Sequence, residues 1–430
     1  KGVYMSRIII NGPNVISGEI DIQGAKNSVL PILAATLLTD GVSVIKNCPY
    51  IKDVDSTVRI LRHLGCKVES PEKGVLIIDS TNADGIDIPY KLMREMRSSV
   101  IMLGPILARM GKAKVSYPGG CELGPRPIDL HISSFEKLGV KFAEEYGFIY
   151  CVCDKIRGTE IHLAFPSVGA TENIMLFASK IPGRTVIHNA AKEPEIQDLQ
   201  CFLNKMGAKI KGAGDSTIII DGVDKLNGVE HSIIPDRIVA STYLTAAAIT
   251  GGSLLLKKVK TSDLKSVLAL LEEGGATIRT ENDSIMIERR KQIMPIKIVR
   301  TMPYPGFPTD SLAALMAYTS LSCGSSMFIE TIFQNRYKHA SELIRMGANI
   351  KVDGRVAIVQ GVSRLTGANV VSTDLRGGAA LVIAGIAAYG ETVVENSELI
   401  DRGYEDFDKN LQALGCKIRK VDTIETSKED

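Results

Sequence analysis

Two hydrophobic spacings alternate along the chain. In some stretches apolar residues recur three and four positions apart, as at Leu199, Phe202, Leu203 and Met206, which predicts one buried face of a helix. In others they fall in short β-rich runs, as over Ser216 to Asp221 and Arg355 to Gln360, which predicts strands. A third pattern is apolar but built from small residues, as in Leu381 to Ala388 before Gly390 and the strand Thr392 to Glu395. Helices of Ala, Gly and Ile permit near approach, so close burial against neighbours is expected.

One phrase returns wherever an amphipathic helix gives way to a strand. It reads Leu64-Gly65-Cys66-Lys67-Val68, Leu138-Gly139-Val140-Lys141-Phe142 and Met206-Gly207-Ala208-Lys209-Ile210. It returns as Gly274-Gly275-Ala276-Thr277-Ile278, Met346-Gly347-Ala348-Asn349-Ile350 and Leu414-Gly415-Cys416-Lys417-Ile418. The aligned glycines stand 74, 68, 68, 72 and 68 residues apart. Each predicted helix stops at its glycine, as a left-handed C-cap requires. Units of this kind bury strand faces under helices, which implies an α/β or α+β fold. A solenoid is the usual meaning of a repeat, but about 70 residues is long for one. Six units divided three and three give two similar lobes, joined near residues 225 to 237, with substrate expected in the cleft between them.

Composition narrows the classes. The chain has 430 residues, 45% apolar and 23% charged, too long for one ordinary core. A formal net charge of +2, from 51 basic and 49 acidic residues, gives no reason to expect a nucleic-acid or membrane surface. The longest apolar runs, such as Leu312 to Ala317, fall well short of the roughly 20 residues a span needs. No secretory signal opens the sequence, and Lys1 to Tyr4 before Met5 look like a cloning remnant, so a soluble cytoplasmic protein is expected. The eight cysteines are too scattered for a disulfide framework. Cys151 and Cys153 belong on one face of a strand, and every cysteine but Cys121 is expected to be a small buried residue. The histidines are dispersed and neither HExxH nor paired CxxC occurs, so no metal or cofactor is expected.

Candidate chemistry gathers in a few segments. Pro118-Gly119-Gly120-Cys121-Glu122-Leu123-Gly124-Pro125-Arg126-Pro127-Ile128-Asp129-Leu130-His131 places Cys121 on a loop and starts a helix near Pro127. Arg126 then sits beside free backbone N–H groups, a combination that attracts phosphate or carboxylate. Cys121 reads either as a thiol activated by Arg126 or as an incidental member of a turn. Gly24-Ala25-Lys26-Asn27-Ser28 precedes an apolar helix from Val29 to Leu38, where Lys26 either meets an anion or forms a solvated cap. Arg97, Arg336, Arg376 and Arg402 stand at probable element ends, Arg402 at the start of the sixth unit's helix. Each reads as a surface ion pair or an anion ligand. Asp310, in Pro305-Gly306-Phe307-Pro308-Thr309-Asp310, is either a helix-start charge or a carboxylate that accepts a proton from a sugar hydroxyl.

Together these segments resemble the UDP-N-acetylglucosamine enolpyruvyl transferase family, of the same superfamily as 5-enolpyruvylshikimate-3-phosphate synthase. GAKN, PGGC with RPxDLH, SVGAT, FPTD, DLR and DRGYE occur in family order across nearly the whole chain. The resemblance implies a two-lobed inside-out α/β barrel of six βαβαββ units. It places residues 22–233 in the first lobe and 1–21 with 234–430 in the second. It implies transfer of the enolpyruvyl group of phosphoenolpyruvate to UDP-N-acetylglucosamine with loss of phosphate, without cofactor or metal, and inhibition by fosfomycin at Cys121. Lys26, Arg97, Arg126, Arg336, Arg376 and Arg402 look like the phosphoenolpyruvate set. Asn27, Arg97, Arg126, Pro127, Ile128, Asp129, Leu130, Ser167, Val168, Gly169, Asp310 and Ile332 look like the sugar-nucleotide set. Cys121, Asp310, Lys26 and Arg402 are the implied catalytic residues. Phe165-Pro166 departs from the family, which can carry a basic residue just before SVGAT.

Overall fold

The structure, a computed structural model, describes residues 3–117 and 128–425. These form two compact units. One holds the residues up to Ile22 and from Pro235 onward, and the other holds the described residues between Gln23 and Ile234.

Six helices are apolar on every side, and the small-residue pattern already required their enclosure. In the Gln23–Ile234 unit these are α1 (Lys26–Ala35), α2 (Leu103–Met110) and α3 (Val168–Ala178). In the other unit they are α4 (Arg237–Thr250), α5 (Thr309–Thr319) and α6 (Leu375–Ala387). α4 is buried from Ile238 to Ile249 and α6 from Arg376 to Ile386. Sheets lie outside the helices. Along Ser253–Lys257, for example, Leu254 and Leu256 are fully buried and the alternate residues are partly exposed, so one face of each sheet is wet. Helices inside and sheets outside make each unit an inside-out α/β fold.

The sheets share one plan. A central strand pairs on one side with a short parallel strand and on the other with an antiparallel pair, as in the order Glu160–His162, Arg184–His188, Thr217–Asp221, Lys209–Lys211. Three sheets take a strand from far along the chain. Ser17–Asp21 runs parallel to Ser253–Lys257, and Glu230–Ser232 runs parallel to Val42–Lys46. The N-terminal strand Val3–Gly12 lies between Gly390–Glu395 and Ile418–Glu425. Val3 and Tyr4, which look dispensable in the sequence, are in register opposite Glu425 and Ile424. In the sheet built on Lys112–Ser116 the short parallel strand shrinks to one bridge, Asp87 with Lys114.

The second helix of each unit explains the repeated phrase. These helices are Lys52–His63, Asp129–Lys137, Pro194–Met206, Lys265–Glu273, Lys338–Arg345 and Phe407–Ala413. The glycine after each has φ between 91° and 109°, a conformation side chains with a Cβ resist. In five of the six, the next residue's N–H reaches back to a carbonyl five positions earlier. Cys66 bonds Leu61, Ala208 bonds Leu203, Ala276 bonds Leu271, Ala348 bonds Leu343 and Cys416 bonds Leu411, each at 3.0 Å. This is the Schellman closure, which satisfies carbonyls that the helix end would orphan.

The cysteine expectation needs correction. Cys48, Cys66, Cys151 and Cys416 are buried and Cys153 half-buried, but Cys201 and Cys323 are exposed. Cys201 lies on the face of its helix opposite Leu199, Phe202 and Leu203, and the helical period already put it there. Cys151 and Cys153 do share a strand face, with Val152 turned outward. Among the described residues no helix is long and apolar enough to cross a membrane.

Gly207 tests the closure cleanly, because a Cβ there meets nothing nearer than the Lys225 carbonyl oxygen at 4.0 Å. Any cost of Gly207→Ala is then conformational, about 1–2 kcal/mol for a left-handed L-residue. The expected result is a lower urea midpoint for the Ala variant, partly restored by Asn. An unchanged midpoint would show that backbone handedness does not set this helix end.

Candidate active site

In the Gln23–Ile234 unit the predicted residues gather at the N-termini of α1, α2 and α3. α1 begins at Lys26, three residues before the predicted Val29, so Lys26 and Asn27 are its first two residues. Lys26 is not a solvated cap. Its side chain is 10% exposed and its Nζ lies 2.6 Å from Asp53 Oδ2, itself 4% exposed. Breaking such a buried pair from one side costs about 3–5 kcal/mol, because the remaining charge stays in place.

Arg97 opens the 3-10 turn Arg97–Met102 that leads into α2, and α1 packs beside that turn. Ser167 caps α3, its Oγ accepting from Ala170 N–H at 3.3 Å. Val168 and Gly169 follow in the first turn, where backbone N–H groups have no intrahelical acceptor. Asn173 ties α2 to α3. Its side-chain amide donates to the Val100 carbonyl at 2.9 Å and accepts from Gly104 N–H at 2.9 Å.

The same amide donates to His131 Nδ1 at 2.9 Å. His131 belongs to the helix Asp129–Lys137, preceded by the buried Ile128, with Asp129 exposed and Leu130 half-buried in its first turn. The position a Cβ on Gly169 would take lies 3.3 Å from His131 Cε1, so the missing side chain makes room for the ring. Burial, with a further push from the Arg97 charge, lowers His131 to about 4. It is therefore neutral near pH 7, with Nδ1 as acceptor. Arg97, His131 and Gly169 thus share one neighbourhood.

In the other unit Asp310 stands in the first turn of α5 between two buried guanidinium groups. Arg336 Nη2 lies 3.1 Å from its Oδ1 and Arg376 Nε lies 3.4 Å from its Oδ2. Arg336 also donates from Nε and Nη2 to the Thr309 carbonyl, at 3.1 and 2.9 Å. Arg376 lies over the Tyr404 ring at 5.2 Å, and Tyr404 Oη meets Thr242 Oγ1 at 2.8 Å. Burial lowers the Arg376 pKa, but Tyr404, Asp310 and Asp236 outweigh it and hold the guanidinium more firmly charged than usual. Its Nη1 is buried with no hydrogen-bond partner among the described residues. An orphan charged donor of this kind calls for an acceptor from outside.

Asp236 caps α4 through Ile238 and Val239 N–H, and Asp374 caps α6 through Arg376 and Gly377 N–H. Ile332 sits on a loop whose N–H groups bond the buried Glu330 carboxylate, which also accepts from Thr309 Oγ1 at 2.8 Å. Arg402 requires correction. It ends the 3-10 segment Ser397–Arg402, and the following helix starts only at Phe407, after Asp406 at φ 48°. It is not the first residue of a helix, although its segment leads directly to Tyr404.

Cys121, Arg126 and Pro127 lie outside the described residues. The partners Asp53, His131, Asn173, Asp236, Asp374 and Tyr404 had no assigned role in the sequence reading. Asp53 carried only the signal of an acid in a first helical turn.

Comparison with known proteins identifies the family. A family model described as EPSP synthase (3-phosphoshikimate 1-carboxyvinyltransferase) matches residues 10–411. UDP-N-acetylglucosamine 1-carboxyvinyltransferase 2 of Caldanaerobacter subterraneus subsp. tengcongensis is 53% identical over 417 residues, 97% of this chain and 100% of the relative. UDP-N-acetylglucosamine 1-carboxyvinyltransferase 1 of Symbiobacterium thermophilum is 50% identical over 420 residues, 96% of this chain and 95% of the relative. Among solved structures, the enolpyruvyl transferase NikO from Streptomyces tendae superposes with a TM-score of 0.88 at 23% identity, covering 98% of this chain and 100% of that one. EPSP synthase from Acinetobacter baumannii gives 0.75 at 18% identity over 97% and 100%. The structural likenesses show an enolpyruvyl transferase fold of mixed α/β content.

The buried neutral His131 fixes a pH dependence. Its folded pKa lies below the ordinary 6.5, so its contribution to stability is whole above pH 6.5 and is lost as pH falls toward about 4. Through that window it removes about 1.4 kcal/mol per pH unit. His131→Gln is expected to flatten the decline of thermal midpoint between pH 6.5 and 4.5. Parallel declines in both proteins would rule out the neutral assignment.

Proposed function

Because the chain belongs to the EPSP synthase family, we propose that it transfers the enolpyruvyl group of phosphoenolpyruvate to the 3-hydroxyl of UDP-N-acetylglucosamine, releasing phosphate. This is a step of peptidoglycan synthesis, and we place it in the cytoplasm. The observation that carries the chemistry is the occupancy of helix N-termini. A cation at the positive end of a helix is unfavourable, yet Lys26 is the first residue of α1, and Arg97 opens the 3-10 segment that precedes α2. An anionic substrate reverses that sign. The acceptor follows from the relatives at about half identity, which carry that sugar nucleotide in their names.

In this reading the 3-hydroxyl oxygen adds to C2 of phosphoenolpyruvate while C3 takes a proton. The tetrahedral adduct then loses a proton from C3 as the C2–O bond to phosphate breaks. Products are the enolpyruvyl ether and inorganic phosphate. Lys26, Arg97, Arg126, Arg336, Arg376 and Arg402 hold the phosphate and carboxylate charges. Arg376 Nη1, which has no hydrogen-bond partner among the described residues, is the donor we assign to that anion. Asp310, its carboxylate oriented by two arginines, receives the hydroxyl proton.

Ser167, Val168 and Gly169 meet the diphosphate with the α3 N-terminus. That offsets the absence of a basic side chain at Phe165-Pro166. Asn27, Pro127, Ile128, Asp129, Leu130 and Ile332 shape the rest of the sugar-nucleotide site. Cys121 exchanges the C3 proton and is the residue fosfomycin alkylates.

Two experiments test this. Phosphate release is expected only when phosphoenolpyruvate and UDP-N-acetylglucosamine are both present, with no turnover when shikimate 3-phosphate replaces the sugar nucleotide. Asp310→Asn is expected to lower kcat by at least about a hundredfold, in the range typical of a lost acid–base group. Turnover with shikimate 3-phosphate alone as acceptor would overturn the assignment.

Fosfomycin tests the thiol separately. The exposed Cys201 and Cys323 serve as internal controls. Peptide mass spectrometry is expected to find one adduct, on Cys121, and none in Cys121→Ser. A stoichiometric adduct on Cys201 or Cys323, with Cys121 unmodified, removes Cys121 from the mechanism.

A further inference from the structure

Histidines that are far apart in the sequence meet on the outer face of one sheet. Glu160–His162 is an edge strand running parallel to Arg184–His188, with His162 directly opposite His188 and Glu160 opposite Val186. Ile161 and Ile187 point inward and are buried, so Glu160, His162 and His188 all point outward. The imidazole rings stack with centroids 4.3 Å apart and planes inclined by 14°. One ligating atom from each of the three side chains lies within 4.8 Å of the others. His188 Nε2 is shielded from solvent without a hydrogen-bond partner among the described residues, 3.5 Å from Glu160 Oε2. No other such group of three occurs among the described residues.

We propose that Glu160, His162 and His188 form a binding site for a divalent transition cation of the Zn²⁺ class. Two neutral imidazoles and one carboxylate are the donor set such ions select, while Mg²⁺ and Ca²⁺ demand shells built from oxygen. Zinc–nitrogen and zinc–oxygen bonds near 2.1 Å put tetrahedral donors about 3.4 Å apart. The Glu160–His188 spacing already matches that separation. The exposed His162 ring needs only to turn out of its stack so that its nitrogen lone pair converges with that of His188. The strand register holds the three Cβ positions, and water completes the open fourth position. The ion joins a three-residue edge strand to its neighbour. None of the three residues is among those assigned to enolpyruvyl transfer.

Full-length protein, stripped with chelator and carrying Cys201→Ser and Cys323→Ser, would be titrated with ZnCl₂ by calorimetry, with MgCl₂ as a comparison. One zinc per chain, a raised thermal midpoint on binding and no Mg²⁺ signal are expected. His162→Ala and His188→Ala should each weaken zinc binding by at least about tenfold while their metal-free thermal midpoints match the parent. Electron paramagnetic resonance of the Cu²⁺ form should report two nitrogen ligands in the parent and one in each variant. Unchanged zinc stoichiometry and affinity in the His162→Ala/His188→Ala double variant would overturn the proposal. So would the absence of zinc binding in the Ser-substituted parent.

Discussion

A helix enclosed along its whole length presents charge only at its ends, and this constraint organises the molecule. α4 and α6 are buried from their first turns almost to their last, so their partial positive N-termini must be met locally. Asp236 and Asp374 do this as caps, and Asp310 does it from the first turn of α5. The three corresponding ends in the Gln23–Ile234 unit are treated differently. Lys26 stands where the dipole disfavours it, Arg97 opens the 3-10 segment ahead of α2, and Ser167 is an ordinary cap. Stability alone would not select that arrangement.

The two clusters use their carboxylates for different ends. Asp53 pairs with Lys26 in a setting where a lone ammonium would be costly to bury. Asp310 is more exposed than the two arginines that flank it, with 28% of its side chain accessible against 2% and 4%. A carboxylate half open to its surroundings and clamped by rigid donors is oriented but not sealed. That suits a group whose partner arrives with the substrate. Arg376 Nη1 in the same cluster, without a hydrogen-bond partner among the described residues, has the same logic, since a fully satisfied guanidinium would have no donor left to offer.

Much of the fold was legible because its signals are local. Helical spacing followed by glycine announced six helix ends, and each glycine has the positive φ that only its residue type adopts readily. The candidate residues were legible as motifs, but their environments were not. Lys26 and Asp53 are separated by a helix, a strand and a loop, and no spacing rule connects them. The start of α1 was placed too late because a lysine and an asparagine broke the apolar pattern that defines its core. The exposure of Cys201 is a different kind of miss. Helical periodicity contained it, and a composition rule about buried cysteines overrode it. His162 and His188 meet through parallel strand register, which a single sequence does not encode locally.

The repeat also explains how one architecture carries unlike chemistry. The glycine closure occupies the far end of each second helix, while the proposed ligands cluster at or just ahead of helix N-termini. Selection for folding and selection for chemistry therefore act on different positions of the same unit. Six copies keep the glycine with φ between 91° and 109°, whereas the residues that cap the central helices at their N-termini vary among alanine, methionine, serine, aspartate and proline. A substitution at a closure glycine perturbs the frame and leaves charge untouched. A substitution at Lys26 or Asp310 instead strands a buried partner, so it alters chemistry and stability together, and activity loss at these positions must be read against folding measured on the same protein.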